Sequence, residues 1–100
     1  MDDSIINKLI ENPAVFGFMS PEQLRNNLLS GGYEVKPLSK GNFKGIDFEY
    51  GGGYKVNFNG NGILSYHPEE RSHHKGAYYK IGTAEKGVHR YDINGNEIFD

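Results

Sequence analysis

Apolar positions along this chain change period at Gly32. Before it they recur at helical spacing, and after it they alternate. Ile5, Ile6, Leu9 and Ile10 form one apolar stripe. Residues 3–11 therefore read as a short helix, capped by Ser4 and stopped by Asn12-Pro13. Ser20-Pro21-Glu22-Gln23 is a stronger start signal. It puts serine at the N-cap, proline at the first helical position and glutamine at the third, the pattern of a capping box. Met19 is positioned to staple against Leu24. Leu24, Leu28 and Leu29 supply a buried stripe, and Gly31-Gly32 ends the helix in left-handed conformation. This predicts a helix over 20–30.

Beyond Gly32, Tyr33 to Lys36 alternates until Pro37 breaks it. Phe43 to Tyr50 reads as a further strand, with Ile46, Phe48 and Tyr50 on one face, and Gly51-Gly52-Gly53 turns. Tyr54 to Phe58 alternates cleanly, and Asn59-Gly60-Asn61-Gly62 holds two Asn-Gly pairs, the strongest short hairpin signal. Ile63 to His67 returns and stops at Pro68, and residues 68–76 form a polar loop. Ala77 to Thr83 and Val88 to Ile93 follow as strands around a turn at 84–87. Asn94-Gly95 turns again, and Ile98-Phe99 pairs briefly. The expected fold is α+β: two N-terminal helices packed on one face of a twisted antiparallel sheet of about five strands, the other face partly open. Residues 1–100 form one domain, with no internal repeat or low-complexity segment.

Composition sharpens this picture in three ways. Thirteen aromatic residues in 100 make the core largely aromatic, and fourteen glycines agree with many turns. The absence of cysteine excludes disulfides, thiolate metal sites and a cysteine nucleophile. No apolar run approaches membrane-spanning length and no signal peptide is evident, so no membrane partner is expected; the chain reads as a cytosolic protein or as an excised piece of a larger one. The net charge of −2 argues against a general nucleic-acid binder, which is strongly basic. Charge is nevertheless uneven. Residues 1–50 carry seven acids against five bases, and residues 51–100 carry six against six together with all four histidines. A polyanion should meet the C-terminal half.

The chemistry concentrates between Tyr66 and Asp92, where His67, His73, His74 and His89 stand among Arg71, Lys75, Lys80, Lys86 and Arg90. Histidine titrates near neutrality and is the commonest proton carrier in catalysis. His67 ends a strand and shares a face with Ile63 and Ser65. A structural histidine closing a loop fits that position equally well. His73-His74 point opposite ways on an extended chain, so at most one faces a given substrate. His67, Glu69, His73 and His74 are metal-ligand types, but their spacing matches no strong motif and no metal or other cofactor is expected. Lys80 can neutralise a phosphate and Thr83 can donate to one. Tyr79, Ile81 and Thr83 share one strand face and Lys80 the other, and the pattern leaves open which face meets solvent. A phosphate-cradling P-loop is absent, because Gly51-Gly52-Gly53 lacks the lysine and helix that must follow.

Tyr66-His67-Pro68-Glu69, Ser72-His73-His74-Lys75-Gly76, Tyr78-Tyr79-Lys80-Ile81, His89-Arg90-Tyr91-Asp92 and Gly95-Asn96 together resemble the C-terminal toxin domains of bacterial polymorphic toxins. These are the effector tips of contact-dependent inhibition and Rhs-type systems. The helices-then-sheet order is similar to the ribonuclease superfamily that groups barnase, EndoU, colicin-type tRNases and RelE. The resemblance spans about residues 18–96. It implies an RNA-cleaving toxin, delivered as the tip of a larger effector, acting in the target-cell cytoplasm and neutralised by a cognate immunity protein. The acidic balance fits a toxin that reads one RNA locally, such as a tRNA.

The expected reaction is metal-independent cleavage by attack of a ribose 2′-OH on the adjacent phosphorus, chemistry open to RNA alone. His67 and one of His73 or His74 are assigned to proton transfer, Lys80 and Thr83 to the phosphate, and Tyr79 to base stacking or proton donation. Arg71, Lys75, His89 and Arg90 are the expected RNA contacts. A metal-dependent histidine nuclease and a non-enzymatic binding module stay open as alternatives.

Overall fold

The computed structural model describes residues 3–58, 62–68 and 76–99. Helix α1 spans Ser4–Glu11 and buries Ile6 and Leu9. Its N-cap is Asp3 rather than Ser4, and no side chain caps it. Pro13–Phe18 continues as a 3-10 helix that buries Phe16. Helix α2, Pro21–Ser30, begins at the capping box as its sequence requires. The Gln23 backbone N–H donates to Ser20 Oγ at 3.1 Å, and the Ser20 N–H donates to Gln23 Oε1 at 2.8 Å. Two amide groups that the first helical turn cannot satisfy are thereby paired. Gly31 closes the helix in right-handed conformation, and the left-handed residue is Gly32, at φ 90°.

Five antiparallel strands follow in a meander: β1 Tyr54–Phe58, β2 Gly62–His67, β3 Tyr78–Thr83, β4 Gly87–Asp92 and β5 Glu97–Ile98, each paired with its chain neighbour. This is the α+β architecture expected from the period switch. Two expected strands are not formed. Tyr33 to Lys36 contributes one rung to the β1 edge, through mutual backbone bonds of 3.0 and 2.7 Å between Lys36 and Lys55. Pro37, which has no amide hydrogen, stops it there. Phe43 to Tyr50 folds back on itself instead. Lys44 N–H bonds to Gly41 O, Ile46 N–H to Phe43 O, and Phe48–Tyr50 is a 3-10 turn. Gly41, Gly45 and Gly51 all adopt positive φ, which a regular strand cannot contain. The alternation there is an accident of sequence: Phe48 packs edgewise on Tyr54 and Tyr66, while Tyr50 is 79% exposed.

The core lies on one sheet face only. Ile6, Leu9, Phe16, Leu24, Leu28 and Tyr33 pack against Tyr54, Val56, Leu64, Tyr79, Ile81 and Tyr91. It is aromatic, as the composition demands. Phe16 stacks on Tyr79 at 4.5 Å, and Tyr66 bridges Tyr54 and Tyr79 at 5.4 and 5.5 Å. The Tyr54 hydroxyl donates to the Pro21 carbonyl at 2.8 Å and ties the sheet to α2. Among the described residues, no helix is long and apolar enough to cross a membrane.

Candidate functional site

Because side chains alternate across a strand, burying Tyr54, Leu64, Tyr79 and Tyr91 under the helices turns their chain neighbours to the opposite face. Strand register arranges those neighbours in rows. Ile63, Gly82 and Val88 are paired across β2, β3 and β4. The next row is Lys55, Ser65, Lys80 and Arg90. The third is His67, Tyr78 and Asp92. The open face therefore runs from aliphatic, through cationic, to imidazole between Ile63 and His67 of β2.

A groove of about 590 Å³ lies over the first two rows and reaches His67. Leu38, Ser39 and Lys40 form its wall beyond β1. The Lys36–Lys55 bridge brings that segment to the sheet edge, and Lys55 Nζ donates to Ser39 Oγ at 3.0 Å. His67 is half-buried. Its Nε2 hydrogen-bonds Ser65 Oγ at 2.9 Å, and its ring lies parallel to that of Tyr78, 4.7 Å between centres. Ser65 is the one buried polar residue among those described, and its hydroxyl holds the imidazole. Two contacts thus fix the ring plane and one ring nitrogen.

Lys80 is diagonal to His67 across the β2–β3 ladder, a separation of about 7–8 Å that a long side chain spans. Partial burial pushes its ammonium below the ordinary lysine value, and the positive charges of Arg90 and Lys40 push it further in the same direction. Like charges directly opposite on paired strands are destabilising, yet Lys80 and Arg90 occupy such a pair, with Lys55 two strands away in the same row. Lys40, Lys55 and Lys80 line the groove together and make it a place where an anion relieves repulsion.

The sequence-assigned residues divide between the two faces. His67, Lys80 and Arg90 come together on the open one. Tyr79 does not, and its assignment to base stacking or proton donation is corrected: the ring is wholly buried between Phe16 and Tyr66. Burial, followed by the neighbouring Tyr66, pushes its phenol far above the ordinary value. Its hydroxyl has no hydrogen-bond partner among the described residues. Thr83 lines the groove at its edge, but its Oγ1 accepts the Lys86 backbone N–H at 3.0 Å and closes the β3–β4 turn. His89 belongs to the helix-side face. Its Nδ1 meets Glu97 Oε2 at 3.0 Å and its Nε2 bonds the Lys86 carbonyl at 2.7 Å, so it stands apart from the Lys80 row. Glu97, then the Lys86 carbonyl, hold its pKa above the ordinary histidine value. Arg71, His73, His74 and Lys75 lie outside the described residues, as does Glu69.

Four residues of the site carried no functional assignment from sequence: Lys40, Lys55, Ser65 and Tyr78. Lys55 and Ser65 were readable as the outward residues of their strands, but only the register sets them opposite one another. Lys40 offered no signal, because the folded-back 37–50 segment brings it here. Compared with protein-family models, curated proteins and solved structures, the chain gives no match.

Proposed function

We propose that this chain is an endoribonuclease toxin domain that cleaves RNA, a tRNA being the substrate best suited to its acidic balance, without a metal ion. The supporting observation is the cationic row of Lys55, Lys80 and Arg90 beside an oriented His67 on an open sheet face. In this reading His67 accepts the proton of the ribose 2′-OH, and the freed oxygen attacks the adjacent phosphorus. Lys80 and Lys55 stabilise the charge that builds on the phosphate oxygens, an electrostatic contribution that grows as water is excluded. His73 or His74 protonates the departing 5′-oxygen. Arg90, Arg71 and Lys75 hold flanking phosphates. The same cationic face is the surface a cognate immunity protein must block, with an acidic partner surface. The domain is carried by a larger effector and acts in the target-cell cytoplasm.

Incubation of total RNA with the purified chain tests this. The expected products end in 2′,3′-cyclic phosphate and form equally in EDTA. His67→Ala should slow cleavage by roughly 10²–10⁴-fold, the usual worth of a positioned general base. Cleavage by the variant at the parental rate would remove His67 from the reaction. Intact RNA with the parental chain would reduce the site to anion binding.

A further inference from the structure

The aliphatic row beside the cations has no role in the transfer of a proton or the neutralisation of a phosphate. Ile63 and Val88 are nonetheless exposed, at 44% and 58%, and face the groove from either side of Gly82. A side chain at position 82 would occupy this floor: an added Cβ meets only Val88 Cγ2, at 3.3 Å, and otherwise points into open space. The glycine thus leaves a flat apolar gap between two aliphatic side chains. The cationic row begins two residues along the strand, roughly 6.7 Å away. That offset matches the ribose that separates a nucleobase from its phosphate. A groove of about 590 Å³ is also of the size that holds a small ligand.

We infer that the Ile63–Gly82–Val88 floor is a nucleobase subsite, which seats one base flat on Gly82 while its phosphate lies on Lys80 and Lys55. The inference rests on the RNA-cleaving reading for the nature of the polyanion, and adds that the protein grips one nucleotide by its base. Cation placement selects this occupant: an apolar ligand without a phosphate would leave Lys80 and Lys55, which line the same groove beside the floor, without an anion to meet. The base contributes apolar contact and the phosphate contributes charge, so removing one should leave the other measurable.

Isothermal titration of the full chain with AMP, CMP, ribose 5-phosphate and hexyl phosphate separates the two contributions. At least one nucleotide should bind roughly ten-fold more tightly than ribose 5-phosphate, through the apolar area the base covers. Gly82→Leu should erase that advantage and leave ribose 5-phosphate binding unchanged. Val88→Asn, at an exposed position that cannot unfold the sheet through a clash, should reduce the same advantage. Nucleotides binding no better than ribose 5-phosphate, or hexyl phosphate matching them, would overturn the base subsite. So would an unaltered nucleotide preference in both variants. These outcomes are independent of cleavage: a base preference with intact RNA leaves the subsite standing without the reaction, and cleaved RNA with no base preference leaves the reaction standing without the subsite.

Discussion

His67 and His89 show how two histidines of one small sheet come to different uses. His67 is on the open face, held by Ser65 and stacked on Tyr78 beside the lysines. His89, two strands away and on the other face, is taken up by Glu97 and a backbone carbonyl. Its imidazolium is stabilised in the folded chain, so its pKa is raised above the unfolded value of about 6.5. A raised folded pKa contributes stability that is fully present below about pH 6.5 and is lost as pH rises through the folded value. Glu97→Gln should therefore lower Tm near pH 5.5–6, and parent and variant should converge by about pH 9. Thermal melts across that range check it. A difference that persists unchanged at high pH would show that Glu97 acts by packing rather than by charge.

At the scale of elements, α2 is the piece whose boundary is written most locally. Ser20 and Gln23 satisfy each other's backbone amides, and Tyr54 then anchors to the Pro21 carbonyl at that same helix start. Ser20→Ala should cost about 1 kcal/mol, roughly 4–8 °C in Tm for a domain of this length. Ser20→Asp should recover most of it, because a carboxylate oxygen also accepts from the third helical N–H. Failure of the aspartate to rescue would mean that α2 is held by its leucines and not by its cap. The same locality explains the error at Phe43 to Tyr50. Alternation alone proposes a strand, but three glycines at positive φ within eleven residues divert the chain into turns.

Across the whole molecule, the net charge of −2 hides a sorted surface. Lys40, Lys55 and Lys80 line one groove although they come from three separate parts of the chain, and Arg90 is paired beside Lys80 on the next strand. Lys80 bears both the cost and the use of that arrangement. Lys80→Met should raise Tm slightly, because cross-strand like-charge pairs are worth up to about 1 kcal/mol against the fold. It should also weaken RNA binding and lower the steepness of its salt dependence by about one unit, the effect of one lost phosphate contact. Melting curves and filter-binding titrations at several salt concentrations read both effects. A lower Tm together with an unchanged salt slope would assign Lys80 to structure and remove it from the anion site.

What the sequence determined by itself is what short-range physics decides. The capping box, the switch from a 3.6 to a 2 period after Gly32 and the turn residues at 84–87 and 94–95 sufficed for two helices and a meander of β1 to β5, while the Asn-Gly turn expected at 59–61 and the polar loop over 69–75 lie outside the described residues. His67 was legible as a strand-end residue on the face of Ser65 and Ile63. Only tertiary structure decided which face of that sheet meets solvent, since Tyr79 and Lys80 alternate equally well with either one inward. Packing of Phe16 on Tyr79 made the choice. It buried one assigned residue and turned the other, half-buried, to the open face, and register then placed Lys55, Lys80 and Arg90 in one row. Periodicity within a strand fixes which residues share a face. Which face is covered depends on helices whose packing partners lie far away in the chain, as in the Ile6, Leu24 and Tyr79 core.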